Sequence, residues 1–402
     1  MLNKDGQREL AYVVKIDKII PIEGADRVEQ AVVGGWHIMV RKGQFKEGDL
    51  AIYFEIDSKV PETETFSFLA AKHYKVKTQK YFKGTVISQG LLMAAEDFGW
   101  VLADGGIIKD SSGSVLTEGT FLTKELGVTY ADPDDNKRKA NSVDKYKKMA
   151  QRNPKIFRQG WAKWMMRREW GKKFMFLIFG RKRDKKGGWP AWVTKTDEER
   201  IQNLVPMIPE FQKEKWIPTE KVDGTSTTFT LRMNKRKREF YVCSRNVCFD
   251  KPDKNCYYET NVYTEMAEKY GMEKVLTDLL KVYAPVYVTI QGETYGAGIQ
   301  KRDYSIGGHD FMAFNLIFGM PNGEIIRYNP KDMTRILAPY NVPCVPFYEE
   351  IELPSTCEEI LAMAAGESAI DGKPREGLVF RTLDGRKSFK AVDNGFLLKY
   401  HN

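Results

Sequence analysis

The sequence predicts an α+β protein with an N-terminal β-barrel, a basic helical linker and a C-terminal domain rich in strands. Residues 1–125 hold short runs of β-branched and aromatic residues separated by turns. Residues 126–190 are rich in Lys and Arg and have helical propensity, and strand-like runs return from 216 to 390. A chain of 402 residues can hold two or three domains, each with its own core.

The first predicted element is a small Greek-key barrel. Its strands are the runs YVVKIDKIIPI, EQAVVGG, WHIMVRKGQF, DLAIYFEI and GTVISQGLLMA, and Gly34-Gly35 supplies hairpin chemistry. The OB fold is the commonest barrel of this kind that binds nucleic acid, so an OB-like domain is predicted for residues 1–125. Basic and aromatic residues at its edge are candidates for RNA contact, with an ordinary solvated surface as the alternative: His37, Arg41, Lys42, Phe82 and Lys83.

The second element is the basic linker, residues 126–190. Between Asn136 and Gly188 stand 19 Lys and Arg and 3 Asp and Glu, a local net charge of +16 in a chain whose total is +9. Such a segment suits a polyanion, although a solvated linker has the same composition. Trp161, Trp164 and Met165 share one helical face, which we expect to pack on a neighbouring domain.

Composition excludes several classes of protein. No apolar run approaches the roughly 20 residues that span a bilayer, and the N-terminus has no signal-like apolar region, so a cytoplasmic protein without a membrane partner is predicted. The cysteines form no CxxC pair, which favours reduced thiols over disulfides or a zinc site: Cys243, Cys248, Cys256, Cys344 and Cys357.

The third element, residues 191–402, opens on KTDEERIQNLV. Thr196 as N-cap and Glu199 three residues on predict a helix with a capping box.

The run WIPTEKVDGTSTTFTL follows, and a charged string interrupts its strand-like pattern. Lys221 and Asp223 are two residues apart, on one side of an extended segment. Gly224 is expected to leave room for a nucleotide. A lysine here can act as a covalent nucleophile if desolvation or nearby positive charge lowers its pKa. KxDG alone is weak, because it occurs by chance in roughly one chain of this length in ten.

Five further motifs follow in order. They are CSRN with Arg245, VYVTIQGETYGAGIQ with Glu293, DFMAFNLIF with Phe314, REGLVFR with Glu376 and SFKAVDNGFLLK with Lys390. Each of these residues could instead be an ordinary core or surface residue. The prediction rests on the occurrence of all six motifs in one order. In this order they resemble motifs I, Ia, III, IIIa, IV and V of the covalent nucleotidyltransferases, the superfamily of ATP-dependent ligases and RNA capping enzymes.

The resemblance implies an ATP-grasp-like ligase domain of antiparallel sheets flanked by helices, at residues 191–402. It implies that Lys221 is the nucleophile that attacks the α-phosphate of ATP. Asp223 and Glu376 would hold Mg²⁺, for which Mn²⁺ can substitute. Lys390 would bind the α-phosphate and stabilise the transition state.

The same resemblance implies the contacts of the nucleotide. Glu293 would accept hydrogen bonds from the ribose hydroxyls, and Arg245 would contact the ribose and the substrate ends. Phe314 would stack on adenine, and Glu220 is also predicted to bind the nucleotide.

The position of the barrel selects among these families. DNA ligases and capping enzymes carry an OB domain after motif V, and here the sequence ends three residues after Lys399. An OB-like module ahead of motif I resembles the fifth family of ATP-dependent RNA ligases. The resemblance covers residues 1–125 and 190–402, and the basic insert departs from it.

This family implies sealing of RNA 3′-OH and 5′-phosphate ends, with a nicked duplex as the substrate and a monomeric enzyme. The alternatives are a capping-type guanylyltransferase and a non-catalytic RNA-binding protein on a ligase scaffold.

The last hairpin allows a geometric prediction. Glu376 and Lys390 must share a face to share a phosphate, and a two-residue Asp384-Gly385 loop would pair Phe380 with Phe389 and separate them. We therefore predict a three-residue loop, 383–385, with Gly385 in the left-handed conformation of a G1 bulge.

Overall fold

The computed structural model describes residues 1, 7–103, 107–131, 154–157, 159–179, 186–187, 189–195, 197–234, 237–249, 261–302 and 304–400. Within these ranges the chain forms an N-terminal group of short antiparallel strands, a helical segment and two larger sheets. The predicted α+β class, with a barrel first and antiparallel sheets flanked by helices last, is confirmed.

The N-terminal strands are those predicted from alternating hydrophobic runs. β1 pairs with β5, and β2, β3 and β4 form consecutive hairpins, so that each strand buries one face in a shared interior. The bounds are β1 (Ala11–Lys15), β2 (Lys18–Pro21), β3 (Val28–Val33), β4 (Trp36–Arg41), β5 (Leu50–Phe54), β6 (Ser58–Lys59), β7 (Gln79–Tyr81), β8 (Val86–Ser88), β9 (Leu91–Met93), β10 (Val101–Ala103), β11 (Ile107–Lys109), β12 (Val115–Leu116) and β13 (Thr129–Tyr130). β13 pairs with β6, so strand pairing of this domain continues to Tyr130.

The described part of the basic linker contains three helices: α1 (Pro154–Phe157), α2 (Gly160–Met166) and α3 (Glu169–Phe179). They pack on one another around Phe157, Ala162 and Met175. The expectation that Trp161 and Trp164 pack on a neighbouring domain is wrong, because both side chains are about half exposed.

The C-terminal domain contains two sheets. The larger has the order β14-β19-β18-β17-β20-β21-β22, and the smaller the order β15-β25-β24-β16-β23. The bounds are β14 (Lys186–Gly187), β15 (Glu199–Arg200), β16 (Lys215–Glu220), β17 (Thr225–Asn234), β18 (Lys237–Ser244), β19 (Cys248–Phe249), β20 (Tyr287–Gly296), β21 (His309–Gly319), β22 (Ile325–Arg327), β23 (Ile351–Glu352), β24 (Gly377–Thr382) and β25 (Ser388–Val392).

Helices cover one face of each of these sheets. In the larger sheet Met266, Leu276 and Met333, from three different helices, pack on strand residues such as Phe229 and Ile290. In the smaller sheet two helices, through Phe211 and Ile360, contribute to a core with the aromatic residues of β16, β24 and β25. The helices are α4 (Ile208–Phe211), α5 (Val262–Lys269), α6 (Met272–Tyr283), α7 (Pro330–Leu337), α8 (Cys357–Ala364) and α9 (Asn394–Tyr400).

The predicted helix at KTDEERIQNLV is wrong at its start. Glu199 and Arg200 form a parallel bridge with Phe389 and Lys390, and helical geometry begins only at Ile201. Tertiary pairing overrides the local capping signal, because the strand places the Glu198 carboxylate against the buried Arg381 guanidinium at 3.0 Å. Thr196 lies outside the described residues.

The predicted three-residue loop of the last hairpin is also wrong. Phe380 pairs with Phe389 and Val379 with Lys390, and five residues, 383–387, connect the strands, with the Thr382 N–H donating to the Lys387 carbonyl at 3.1 Å. The Asp384 carboxylate accepts a hydrogen bond from the backbone N–H of Arg386 at 3.0 Å, which accommodates the longer turn. Only the left-handed conformation of Gly385, at a φ of +66°, is as predicted.

Four cysteines, Cys243, Cys248, Cys344 and Cys357, are free thiols, as predicted, and Cys256 lies outside the described residues. Over the ranges that the structure describes, no helix is long and apolar enough to cross a membrane.

Candidate active site

A cavity of about 370 Å³ opens between the two sheets of the C-terminal domain. The segment 221–224 crosses from β16 of the smaller sheet to β17 of the larger one, along the cavity wall. All eight residues predicted to act on the nucleotide or metal line this one cavity: Glu220, Lys221, Asp223, Arg245, Glu293, Phe314, Glu376 and Lys390.

Glu376 and Lys390 meet there in spite of the hairpin register. Lys390 lies within β25, opposite Val379. Glu376 precedes β24 by one residue, so the alternation of the strand does not fix the direction of its side chain. The carboxylate therefore reaches the cavity that Lys390 lines from within its strand.

The Lys221 amine forms an ion pair with Glu376, with 2.6 Å between Nζ and Oε2. Its backbone N–H donates to the Gly377 carbonyl at 3.0 Å, which holds the lysine beside the start of β24. Burial alone lowers the pKa of Lys221, but the Glu376, Glu293 and Asp223 carboxylates outweigh burial and raise the pKa above its ordinary value. The amine is therefore protonated until these negative charges are offset.

Two acidic side chains of the cavity, Asp223 and Glu293, have raised pKa values. Burial, reinforced by the charge of Glu376, raises the pKa of Asp223 to about 6. Burial also raises the pKa of Glu293 to about 8, while Lys221 opposes the rise. A cluster of partly buried carboxylates of this kind favours a nearby cation.

These carboxylates fit a divalent ion held mainly by its other ligands. Among the described residues no group of three His, Cys, Asp or Glu has the arrangement of a preformed metal site. Asp223 and Glu376 would supply two carboxylates, and phosphate oxygens and water would complete the shell, as is usual for Mg²⁺.

The raised pKa of Glu293 predicts a pH-dependent stability. Its ordinary value of 4.5 rises to about 8, so the stability it contributes is present below pH 4.5 and is lost as the pH rises through about 8. In metal-free buffer, Glu293→Gln should match the wild type in Tm near pH 4.5 and exceed it at pH 9. Differential scanning fluorimetry measures this, with the exposed Glu96→Gln as control. Parallel Tm curves for Glu293→Gln and the wild type would contradict the prediction.

Asp197 bridges two cations at the cavity mouth. Its carboxylate lies 2.7 Å from Nη2 of Arg245 and 3.5 Å from Nζ of Lys390. Burial, partly opposed by Asp197, lowers the pKa of Lys390. Arg245 and Asp197 are both more than half exposed, so an entering anion can exchange with the Asp197 carboxylate at little cost.

Phe314 is directed to the cavity by a β-bulge. Gln291 pairs with Asn315 and Gly292 with Ala313, which leaves Phe314 unpaired between them. The Arg381 guanidinium lies 5.6 Å from its ring centroid. Arg381 and its partner Glu198 also line the cavity. Arg381 ends the motif REGLVFR and Glu198 lies in KTDEERIQNLV, but neither was singled out as a site residue.

Glu220 and Gly224 also have structural roles, which the motifs alone do not show. The Glu220 carboxylate accepts hydrogen bonds from the Ser368 hydroxyl and from the Ala369 N–H at 2.9 Å, and its side chain is buried. A Cβ on Gly224 would lie 2.3 Å from the Thr294 carbonyl oxygen. The missing Cβ therefore allows β20 to approach, and the expectation that this glycine leaves room for a nucleotide stays a prediction.

The predicted RNA-binding residues of the barrel lie apart from the cavity lining. Arg41 ends β4, Lys42 follows it in the turn, and Lys83 lies between β7 and β8 at a φ of +56°. All three are exposed. His37 is instead partly buried, with Nδ1 3.0 Å from Oε1 of Gln30, so it is less accessible to RNA.

Arg200 is a partly buried cation that sequence reasoning missed. Its guanidinium lies 5.7 Å from the centroid of the Trp36 ring in the barrel, and its Nη1 atom has no hydrogen-bond partner. Burial lowers its pKa, and the charge of Glu376 opposes this effect. Arg200 thus lies where the barrel meets the domain that carries the cavity.

The comparisons with known proteins agree with this architecture. A family model described as RNA ligase matches residues 214–401, and one described as an OB-fold domain matches residues 10–95. No curated protein matches the chain.

Solved structures of a Naegleria gruberi RNA ligase are similar over nearly the whole chain. The structure with PPi has 27% identity and a TM-score of 0.63, and the match covers 98% of this chain and 99% of that one. A mutant with ATP and Mn has 27% identity and a TM-score of 0.64, covering 98% and 100%. A mutant with AMP and Mn has 27% identity and a TM-score of 0.63, covering 98% and 99%.

The order of the two matched regions is the one predicted, with the OB fold first and the ligase motifs on one cavity. The chain therefore carries an RNA ligase domain preceded by an OB-fold domain, and it is a ligase enzyme.

Proposed function

We propose that this RNA ligase uses ATP and a divalent metal ion, Mg²⁺ or Mn²⁺, to join an RNA 3′-OH end to a 5′-phosphate end. The observation that carries the proposal is the Lys221 amine, held 2.6 Å from Glu376 in a cavity lined by further acids and cations. The Naegleria ligase structures with ATP and Mn, with AMP and Mn and with PPi support it.

The reaction has three steps. The Lys221 amine attacks the α-phosphorus of ATP, the bond to the β-phosphate oxygen breaks, pyrophosphate leaves, and the lysine loses a proton. The RNA 5′-phosphate then attacks this phosphorus and takes the AMP, which frees the lysine and gives AppRNA. Finally the 3′-hydroxyl attacks the activated 5′-phosphate, and AMP leaves as the phosphodiester forms.

Residues of the cavity act around this phosphorus. Glu376 restrains the Lys221 amine, and Lys390 carries positive charge to the α-phosphate in the transition state. Phe314 stacks on adenine, Glu293 accepts from the ribose, Glu220 fixes the cavity wall, and Arg245 contacts the ribose and the RNA ends. When bound by Asp223 and Glu376, the divalent ion offsets phosphate charge and lowers the pKa of the amine.

The RNA substrate is proposed to be a nicked duplex, bound by a monomer. Arg41, Lys42 and Lys83 of the barrel, together with the basic linker, would contact the phosphates of the strands beside the nick. Because such contacts release counterions, affinity should fall steeply as salt rises.

The test is a pair of assays on the full chain. With labelled ATP and Mg²⁺ we expect a covalent protein adduct, and with a nicked RNA duplex we expect a sealed product. An adduct formed only with labelled GTP would favour a capping guanylyltransferase instead. RNA binding without any adduct would favour a non-catalytic RNA-binding protein. RNA or DNA placed separately on each side of the nick then defines the substrate.

A further inference from the structure

Helices α2 and α3 of the basic linker present a row of large apolar side chains to solvent. The exposed fractions range from 49% for Trp164 and Phe174 to 58% for Leu177. On α3 the row follows positions 170, 174, 177 and 178, the spacing of one helical face. We call this the outer face, and it consists of Trp161, Trp164, Trp170, Phe174, Leu177 and Ile178.

The outer face is separate from the core of the helices. Met175 and Ala162 are fully buried, and Phe157, Phe176 and Phe179 pack with them on the opposite side. The helical segment therefore already has an internal core, and the outer face adds nothing to it. A row of six large, half-exposed apolar side chains marks an interaction surface more often than chance exposure.

Positive charge lies among these aromatic rings. From Gln159 to Phe179 there are five Lys and Arg and one acid, Glu169, whose carboxylate pairs with Lys172 at 2.6 Å. Arg168 lies 4.2 Å from the centroid of the Trp164 ring, and Lys173, one turn before Leu177, borders the stripe of α3. One cation therefore lies over a ring of this face, and another lies at its edge.

The arrangement of rings and cations on the outer face distinguishes two kinds of anionic partner, a bilayer surface and a nucleic acid strand. Helices that bind bilayer surfaces segregate an apolar face from a basic one. Proteins that bind single-stranded nucleic acid instead alternate cations for phosphates with rings for bases. Trp164 and Trp170 also meet edge to face, with centroids 6.2 Å apart and planes at 81°, so their ring faces are not stacked on each other.

We propose that the outer face binds an unpaired RNA strand, with bases stacked on Trp164 and Trp170 and phosphates held by Arg168 and Lys173. The inference rests on the proposed function, because it assigns the linker a preference for unpaired RNA beside the ligation site. It goes beyond charge-driven contact with a duplex, which offers no exposed base for stacking.

The test compares an unstructured 20-nucleotide RNA with a blunt 20-base-pair RNA duplex by fluorescence anisotropy. Trp164→Ala with Trp170→Ala should weaken single-strand binding roughly 10-fold or more, since each base–aromatic stack corresponds to about 5- to 150-fold in affinity. Duplex affinity should stay within about twofold. The paired Trp→Phe changes should retain most of the single-strand affinity, because a ring remains. Val282→Ala, at a residue 67% exposed on α6, is the matched control.

Two results would overturn the inference. One is unchanged single-strand affinity in the double alanine variant. The other is a loss of binding to vesicles containing phosphatidylserine, with RNA binding intact, which would assign the face to a membrane surface. Adduct formation with ATP alone is measured on each variant. A wild type without an adduct would reject the proposed function and leave the RNA comparison valid.

Discussion

Replacing Lys221 with alanine is expected to abolish the covalent adduct with AMP and the sealing of nicked RNA. Lys390, the other lysine of the cavity lining, cannot take its place without moving, because it lies on β25 and its amine is bridged by Asp197. Loss of a covalent nucleophile removes an entire reaction path, so activity should fall by roughly 10⁴-fold or more. The measurement is labelled AMP retained on the denatured protein, together with gel analysis of the RNA.

Lys215→Ala is the matched control for this experiment. Lys215 lies on the same strand, β16, but it is 58% exposed and pairs only with Glu350 at the surface. This variant should keep both activities. RNA supplied with a preformed 5′-AMP should still be joined by Lys221→Ala to a measurable extent, because that step does not need the lysine. An adduct of normal yield in Lys221→Ala would place the nucleophile elsewhere.

Replacing Glu376 with glutamine is expected to lower the maximal rate of adduct formation by about 100-fold. It should also raise the metal concentration at which that rate is half-maximal. The same change also affects the protonation of Lys221, in the direction that favours attack by its amine. The Glu376 carboxylate raises the pKa of Lys221, so its loss lowers that pKa and moves the rising part of the pH–rate profile to lower pH. The two effects can be measured separately. The loss of a metal-holding carboxylate lowers the plateau of the pH–rate profile, and the lower pKa of Lys221 shifts the midpoint of its rising part.

Glu350→Gln serves as the control, because Glu350 forms a surface ion pair with Lys215. It should change neither the plateau nor the midpoint. A Glu376→Gln enzyme with an unchanged or higher plateau would show that Glu376 only restrains the lysine and does not help to hold metal.

Much of the chemistry could be predicted from the sequence because the site residues stand in short motifs. Lys221 and Asp223 are two residues apart in the chain, and Glu293 and Phe314 occupy long strands whose hydrophobic pattern is clear. Their gathering on one cavity was expected from the resemblance of the six ordered motifs, and the two sheets bring together the strands that carry them. The OB-like barrel was predictable from alternation and turns in the same way.

The errors share a physical cause, since each concerns a choice made by distant contacts. Glu199 carries a sound capping signal, but a parallel bridge to Phe389 and the buried pair beside it outweigh local propensity. The hairpin loop depends on a hydrogen bond of the Asp384 side chain, which residue spacing does not reveal. Trp164 fits a packed face by pattern alone, and only the folded helices show that their core lies on the other side.

The close approach of β20 to Gly224 changes how the KxDG string can be used to judge other chains. With 2.3 Å between a Cβ at this position and the Thr294 oxygen, any chain that folds in this way requires glycine here, whether or not it transfers a nucleotide. A catalytically dead descendant would keep this glycine for the sake of its fold. The fold does not require Lys221 and Glu376 for the same steric reason. The presence of these two residues, and not of the glycine, therefore distinguishes an active enzyme from an inactive descendant.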